Sequence, residues 1–365
     1  MLQPRDTASG PVRRGRLTPR ERALAPLIVA ALLAGAAATA SSSWVFQASP
    51  TPERLRGVSA VSDTVAWASG NKGTIVRTSD GGANWTRLAV PGAEDLDFRD
   101  IEAFSAGIAY ALAIGPGDKS RIYKTGDGGQ TWVLQFANPD PRAFYDAMAF
   151  WDAMTGLAVG DPVDGRFTVI RTMDGGKTWV RVPAANIPPA LPGDGAFAAS
   201  GTCLVARGAR HAWFGSGGGA RARVYRSSDQ GLTWEVADTP IAAGNASSGV
   251  FSLAFSDDLH GIAVGGDYRR ERETGDNLAV TTDGGRTWAF AGAARLRSFR
   301  SAVAYVPGSA GRRLIAVGPG GTDASADGGT TWTPIGDDGF HALGISPGGR
   351  AMWAVGEQGR IATLH

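Results

Sequence analysis

Cysteine is almost missing from this chain. Cys203 stands alone in 365 residues, which excludes an internal disulfide framework and a cysteine-rich metal site. Histidine is nearly as scarce: His211, His260, His341 and His365 lie singly, without the paired spacing that converges on zinc, so no metal is expected. No Gly-x-Gly-x-x-Gly stretch opens a helix, which removes support for an ordinary nicotinamide or flavin enzyme, and no cofactor is expected. Outside the N-terminus no segment carries a convincing helical pattern, and charged residues reach only 19%.

The N-terminal 40 residues differ from the rest. Arg5, Arg13, Arg14, Arg16, Arg20 and Arg22 precede an apolar run from Ala23 to Ala34, and Ala38-Thr39-Ala40 supplies a small-x-small cleavage pattern. This predicts a signal peptide over 1–40, cut after Ala40, and a mature domain over 41–365 that is periplasmic or secreted. An uncleaved anchor is the competing reading. Arg13-Arg14 matches twin-arginine export only loosely, so the route stays open between the two export systems. Without that segment the chain keeps 30 Lys+Arg against 32 Asp+Glu, a net charge of −2 in place of +2. The basicity belongs to the signal, and no nucleic-acid partner is expected.

What the sequence has in abundance is glycine, 52 residues, and tryptophan, 11, a composition of many turns joining short strands. One octapeptide recurs six times. Its aspartates and tryptophans are Asp80 and Trp85, Asp127 and Trp132, Asp174 and Trp179, Asp229 and Trp234, Asp283 and Trp288, and Asp327 and Trp332. The aspartates are 47, 47, 55, 54 and 44 residues apart, the length of one four-stranded propeller blade. In the third unit, strands are expected over 144–150, 155–160, 167–172 and 179–182.

The octapeptide resembles the Asp box, or bacterial neuraminidase repeat. Its aspartate is expected to accept hydrogen bonds from amides of its own turn, its glycines to permit positive φ, and its tryptophan to bury a ring between blades. Six boxes give six blades. The stretch from Phe340 to Thr363 supplies three strands of a seventh, and Trp44-Val45-Phe46-Gln47 is the expected fourth. The fold class is therefore all-β: a seven-bladed β-propeller with Asp-box turns, closed by its N-terminal strand.

With Gly70-Asn-Lys-Gly73 and Gly356-Glu-Gln-Gly359 leading into third strands, the whole mature chain is similar to the photosystem II stability/assembly factor type of propeller. That resemblance implies an exported scaffold that assists assembly of membrane protein complexes by binding a partner. The partner expected here is a protein of the cell envelope, and the mature domain is expected to be a soluble monomer.

In a propeller, the starts of the first strands and the ends of the second share one face, with the Asp-box turns opposite. Aligning first strands places Arg56, Arg99, Tyr145, Val250 and Arg300 in one column and Gly57, Asp100, Asp146, Phe251 and Ser301 in the next, with Phe340 or His341 from the seventh blade. The loops after the second strands add Asp161, Asp267, Tyr268 and Asp323. The expected binding mouth comprises Arg56, Arg99, Asp100, Tyr145, Asp146, Asp161, Asp267, Tyr268, Arg300, Asp323 and His341.

Catalytic motifs do not survive inspection. Gly344-Ile-Ser346-Pro-Gly348 mimics a nucleophile elbow, but Pro347 lacks the amide an oxyanion hole requires. Gly176-Lys177-Thr178 echoes a phosphate-binding loop but is only the third box. The rival function is a sialidase-like glycoside hydrolase using Arg56, Arg99 and Arg300 with Tyr145 or Tyr268 and Asp146. Against it, the sialidase Arg-Ile-Pro motif is missing, and no catalytic residues are assigned.

Overall fold

A computed structural model of the chain describes residues 43–364. The expected signal peptide and its cleavage site lie outside the described residues. Alternating apolar residues between glycine turns build seven antiparallel sheets. Blade 1 runs from Leu55 to Leu88, blade 2 from Asp97 to Ala137, blade 3 from Tyr145 to Arg181, and blade 4 from Leu204 to Asp238. Blade 5 runs from Ser248 to Thr281, blade 6 from Ala302 to Gly336, and blade 7 from Ala342 to Leu364. First strands of successive blades touch around the whole circle, blade 7 returning to blade 1, so they form the inner ring. Blade 3 has strands Tyr145–Phe150, Gly156–Val163, Arg166–Thr172 and Val180–Arg181, within three residues of expectation at each end. Blade 5 departs from the pattern: its fourth strand is reduced to one bridge, Val280 to Ala289.

The N-terminal strand completes blade 7. Trp44–Phe46 pairs antiparallel with Ala362–Leu364. Trp44 is buried against Phe340, ring centroids 4.8 Å apart, and its Nε1 donates to Thr322 Oγ1 of blade 6 at 2.9 Å. Gln47 then reaches blade 1, accepting from Trp85 Nε1 and donating to Gly81 O. The closing strand therefore stitches three blades together.

All six octapeptide turns share one hydrogen-bond scheme. In the second, Thr125 Oγ1 donates to Asp127 Oδ1 and accepts from the Gly129 amide, while Asp127 accepts from the Thr131 amide and hydroxyl. These bonds hold the carboxylate ionised: Asp80, Asp127 and Asp283 are pulled down to about 2. The glycines take positive φ, and blade 4, which has Gln230 at the first glycine position, still holds φ 59 there. The turn tryptophans are buried or half-buried; Trp67, Trp213 and Trp353 on second strands are the largest fully buried rings.

Candidate functional site at the propeller mouth

Four first strands carry a β-bulge at corresponding positions. The ladder skips one residue between Leu55 and Gly57, Phe98 and Asp100, Tyr145 and Ala147, and Val250 and Ser252. A bulge leaves one residue unpaired and re-aims its side chain. The unpaired residues are Arg56, Arg99, Asp146 and Phe251, and all four line one cavity of about 550 Å³. Blades 6 and 7 continue the ring: Leu55, Arg300 and Phe340 each donate an amide to the preceding blade's second strand, which places Ser301 and His341 in register with Arg56. Ser301 and His341 line the same cavity.

The column read from the sequence is therefore one residue out of register in blades 3, 5 and 6. Asp146, Phe251 and Ser301 belong beside Arg56 and Arg99, whereas Tyr145, Val250 and Arg300 turn into the blades. Tyr145 packs its ring on Phe136 in the hydrophobic interior, and burial raises its pKa. Arg300 is fully buried. Its Nε and Nη2 donate to Asp323 Oδ2 at 2.9 and 2.5 Å, and its Nη1 donates to Ser298 Oγ and Phe299 O. Asp323 is buried with it, so both leave the mouth for an internal ion pair. Asp267 serves a different purpose, accepting from Ser247 Oγ and the Arg269 amide beside a smaller cavity. Asp100 lies buried in the inner ring, where its Oδ2 accepts from the Met148 amide; burial pushes its pKa up to about 7.

Blade 4 contributes differently. Its first strand is preceded by a segment, 195–203, that crosses the mouth and fastens to five other blades. Arg56 Nε donates to Ala199 O, Arg99 Nη1 to Ala198 O, and the Ala196 amide to Asp161 Oδ1. Phe197 stacks on Phe251 at 3.9 Å, and Ser200 Oγ donates to Ser301 O. Gly201, at φ +82, sits so close to Asp100 that a Cβ would fall 2.2 Å from Oδ1. Sequence reasoning missed this segment. Its signal was the 55-residue spacing from Asp174 to Asp229, eight more than the preceding intervals.

The cavity combines contrasting chemistries. Arg54, Arg56 and Arg99 form a basic arc, to which Asp97 and Glu357 offer partial compensation at 4.0 and 3.9 Å from Arg54. Burial, then the charge of Arg99, lowers Arg56 to about 9. His341 Nε2 meets Glu357 Oε1 at 2.7 Å, yet burial and Arg56 hold the imidazole down at about 4, so it is neutral at pH 7. Adjoining them, from blade 3, lie Asp146 and Asp161, the latter raised to about 6 by burial. Phe251, Phe299 and Tyr268 supply an aromatic wall, with ring centroids 4.7 and 6.0 Å from Phe251.

The geometry does not assemble the arginine trio of the glycosidase reading. Arg300 is sealed with Asp323, and Tyr145 lies in the interior of blade 3. Among the described residues no group of three or more His, Cys, Asp or Glu side chains is placed to hold a metal ion. A second cavity of about 560 Å³ between blades 4, 5 and 6 is lined by Arg207 and Tyr305, but Arg207 is committed to the carbonyls of Phe255 and Ser256.

No protein-family model and no curated protein matches this chain. Solved structures do. YCF48 bound to D1 peptide is 15% identical at a TM-score of 0.59, with 88% of this chain and 96% of that chain covered. YCF48 from Cyanidioschyzon merolae is 16% identical at 0.61, covering 88% and 98%. The GH74 xyloglucanase from Xanthomonas campestris is 18% identical at 0.60, covering 88% of this chain but only 53% of that one. The chain is thus a seven-bladed propeller similar in fold to YCF48, a fold that these structures share across different activities.

Proposed function

We propose that this protein is an exported binding or assembly propeller that holds a protein partner of the cell envelope at its mouth. One observation carries the reading: the bulged first strands of blades 1, 2, 3 and 5, the 195–203 segment, and Ser301 and His341 of blades 6 and 7 converge on a single cavity. Bulges are a device for aiming side chains, and their repetition around one rim spends ladder hydrogen bonds that packing alone does not require. Similarity in fold to YCF48 bound to D1 peptide supports a polypeptide as the occupant. The signal-like N-terminus supports export.

Capture from envelope extract tests the reading. Arg56→Gln with Arg99→Gln, which also releases their hydrogen bonds to Ala199 O and Ala198 O, should lose the partner that the parent protein retains while remaining folded. A double variant that is folded and still captures the same partner contradicts the mouth as the binding surface.

A further inference from the structure

The basic arc describes only one side of the mouth. Beside it, in the adjoining blade 3, the bulge at Asp146 brings a carboxyl group into the cavity wall with 2% of the residue exposed; the amides of Asp161 and Ala198 approach the carboxyl, and no side-chain donor reaches its Oδ2. The nearest arginines are already engaged: Arg99 donates to Asp97 and Ala198 O, Arg56 to Ala199 O. Asp161 stands beside it, with Oδ1 occupied by the Ala196 amide. A buried carboxyl oxygen without a donor is costly, and the cost is relieved by any donor that the cavity admits. Next to these acids are ring surfaces: Phe197 stacked on Phe251, and Tyr268 edge-on to Phe251 with 43% of its surface exposed. Aromatic faces attract cations, and the attraction grows when water is excluded.

We propose that the Asp146–Asp161 side of the mouth takes a hydrogen-bonding organic cation, the ammonium or guanidinium head of a lysine or arginine side chain presented by the protein partner. This rests on the mouth being the binding surface and adds the chemistry of what enters it. The requirement for a donor is specific. A quaternary ammonium satisfies the rings but offers Asp146 Oδ2 no proton, whereas a primary ammonium or guanidinium satisfies both. Burial raises the pKa of both carboxyls, and at Asp146 the charge of Asp161 adds to the effect while Arg99 opposes it, so an arriving cation also stabilises their ionised forms.

Calorimetric titration of the purified protein with Nα-acetyl-lysine methylamide, and with its trimethyllysine counterpart, tests this. The lysine compound should bind, and the trimethyl compound should bind roughly tenfold more weakly. Asp146→Asn should weaken lysine-compound binding by about the same factor without lowering the melting temperature, because it removes a buried acid. If that variant folds poorly, Tyr268→Ser, at an exposed position, should weaken binding while the protein melts normally. Equal affinity for the two compounds, undiminished binding in a folded Asp146→Asn or Tyr268→Ser variant, or no heat with the lysine compound overturns the inference. Partner capture is a separate readout: capture that persists without lysine-compound binding contradicts this inference alone, and lysine-compound binding with no capture at the mouth contradicts the proposed function alone.

Discussion

Arg300 shows what one side chain does when a strand shifts by a single residue. Between sequence and structure it moves from a solvated rim to a fully buried ion pair with Asp323, where three of its nitrogens are hydrogen-bonded. Its energetic role therefore changes from recognition to packing. Arg300→Met should destabilise by about 3 kcal/mol, because Asp323 is left buried with only Arg297, 3.7 Å from its Oδ1, to offset the charge. Replacing both partners, Arg300→Met with Asp323→Leu, should recover much of that loss, as read by chemical denaturation. A single variant as stable as the parent would mean that the pair is not buried. Sequence periodicity located Arg56, Arg99, Asp146, Asp161, Tyr268 and His341 at the mouth because strand ends follow from turn spacing. It misplaced Tyr145 because a bulge inserts a residue without altering strand length or composition, so alternation alone counts through it, and it misplaced Arg300 because the chain there precedes the paired strand Ala302–Tyr305 and alternation has no ladder to follow.

At the scale of elements, the repeats were readable because each octapeptide specifies its own turn: a hydroxyl and a carboxylate that cap amides locally need no tertiary partner. The closing strand was readable for a different reason, since the stretch from Phe340 to Thr363 carries three strand patterns and Trp44-Val45-Phe46-Gln47 lies unassigned ahead of blade 1. Removing residues 41–48 deletes Trp44 and its contact with Phe340, the Trp44–Thr322 hydrogen bond, and the Gln47 link to Trp85. It also exposes the edge of Ile361–Leu364. The truncated protein should aggregate or melt markedly lower than the parent in a thermal scan. A soluble truncated monomer with the parental melting curve would contradict closure by this strand. Less readable were the weak fourth strand of blade 5 and the mouth-crossing 195–203 segment, the latter within the 55-residue interval between Asp174 and Asp229.

For the whole molecule, two populations of carboxylate pull stability in opposite directions along the pH axis. Turn aspartates are depressed, Asp80, Asp127 and Asp283 to about 2, so their contribution is full above the ordinary carboxylate value of 3.8 and is lost as pH falls through the lowered values. Inner-ring and mouth acids are raised, Asp161 to about 6 and Asp100 to about 7, so theirs is full below 3.8 and is lost as pH rises through those values. Burial raises Asp146 and Glu102 in the same direction. His341, depressed to about 4, opposes them with a contribution that is lost as pH falls below 6.5, but it is one group against four. The melting temperature should peak near about pH 5 and fall towards both about pH 3 and about pH 8, and Asp100→Asn should flatten the alkaline side. A monotonic rise from pH 4 to 8 would contradict the burial of these acids.

The proposed function assigns recognition to the mouth face and none to the face of the repeated turns, and the account stands or falls on which face meets the partner. Hydrogen–deuterium exchange of the propeller, free and with a partner captured as proposed above, measures this directly. Protection is predicted at the amides of 196–199 and in the loop around Tyr268, with the six octapeptide turns unchanged. Protection confined to those turns, with the mouth exchanging as in the free protein, would contradict it.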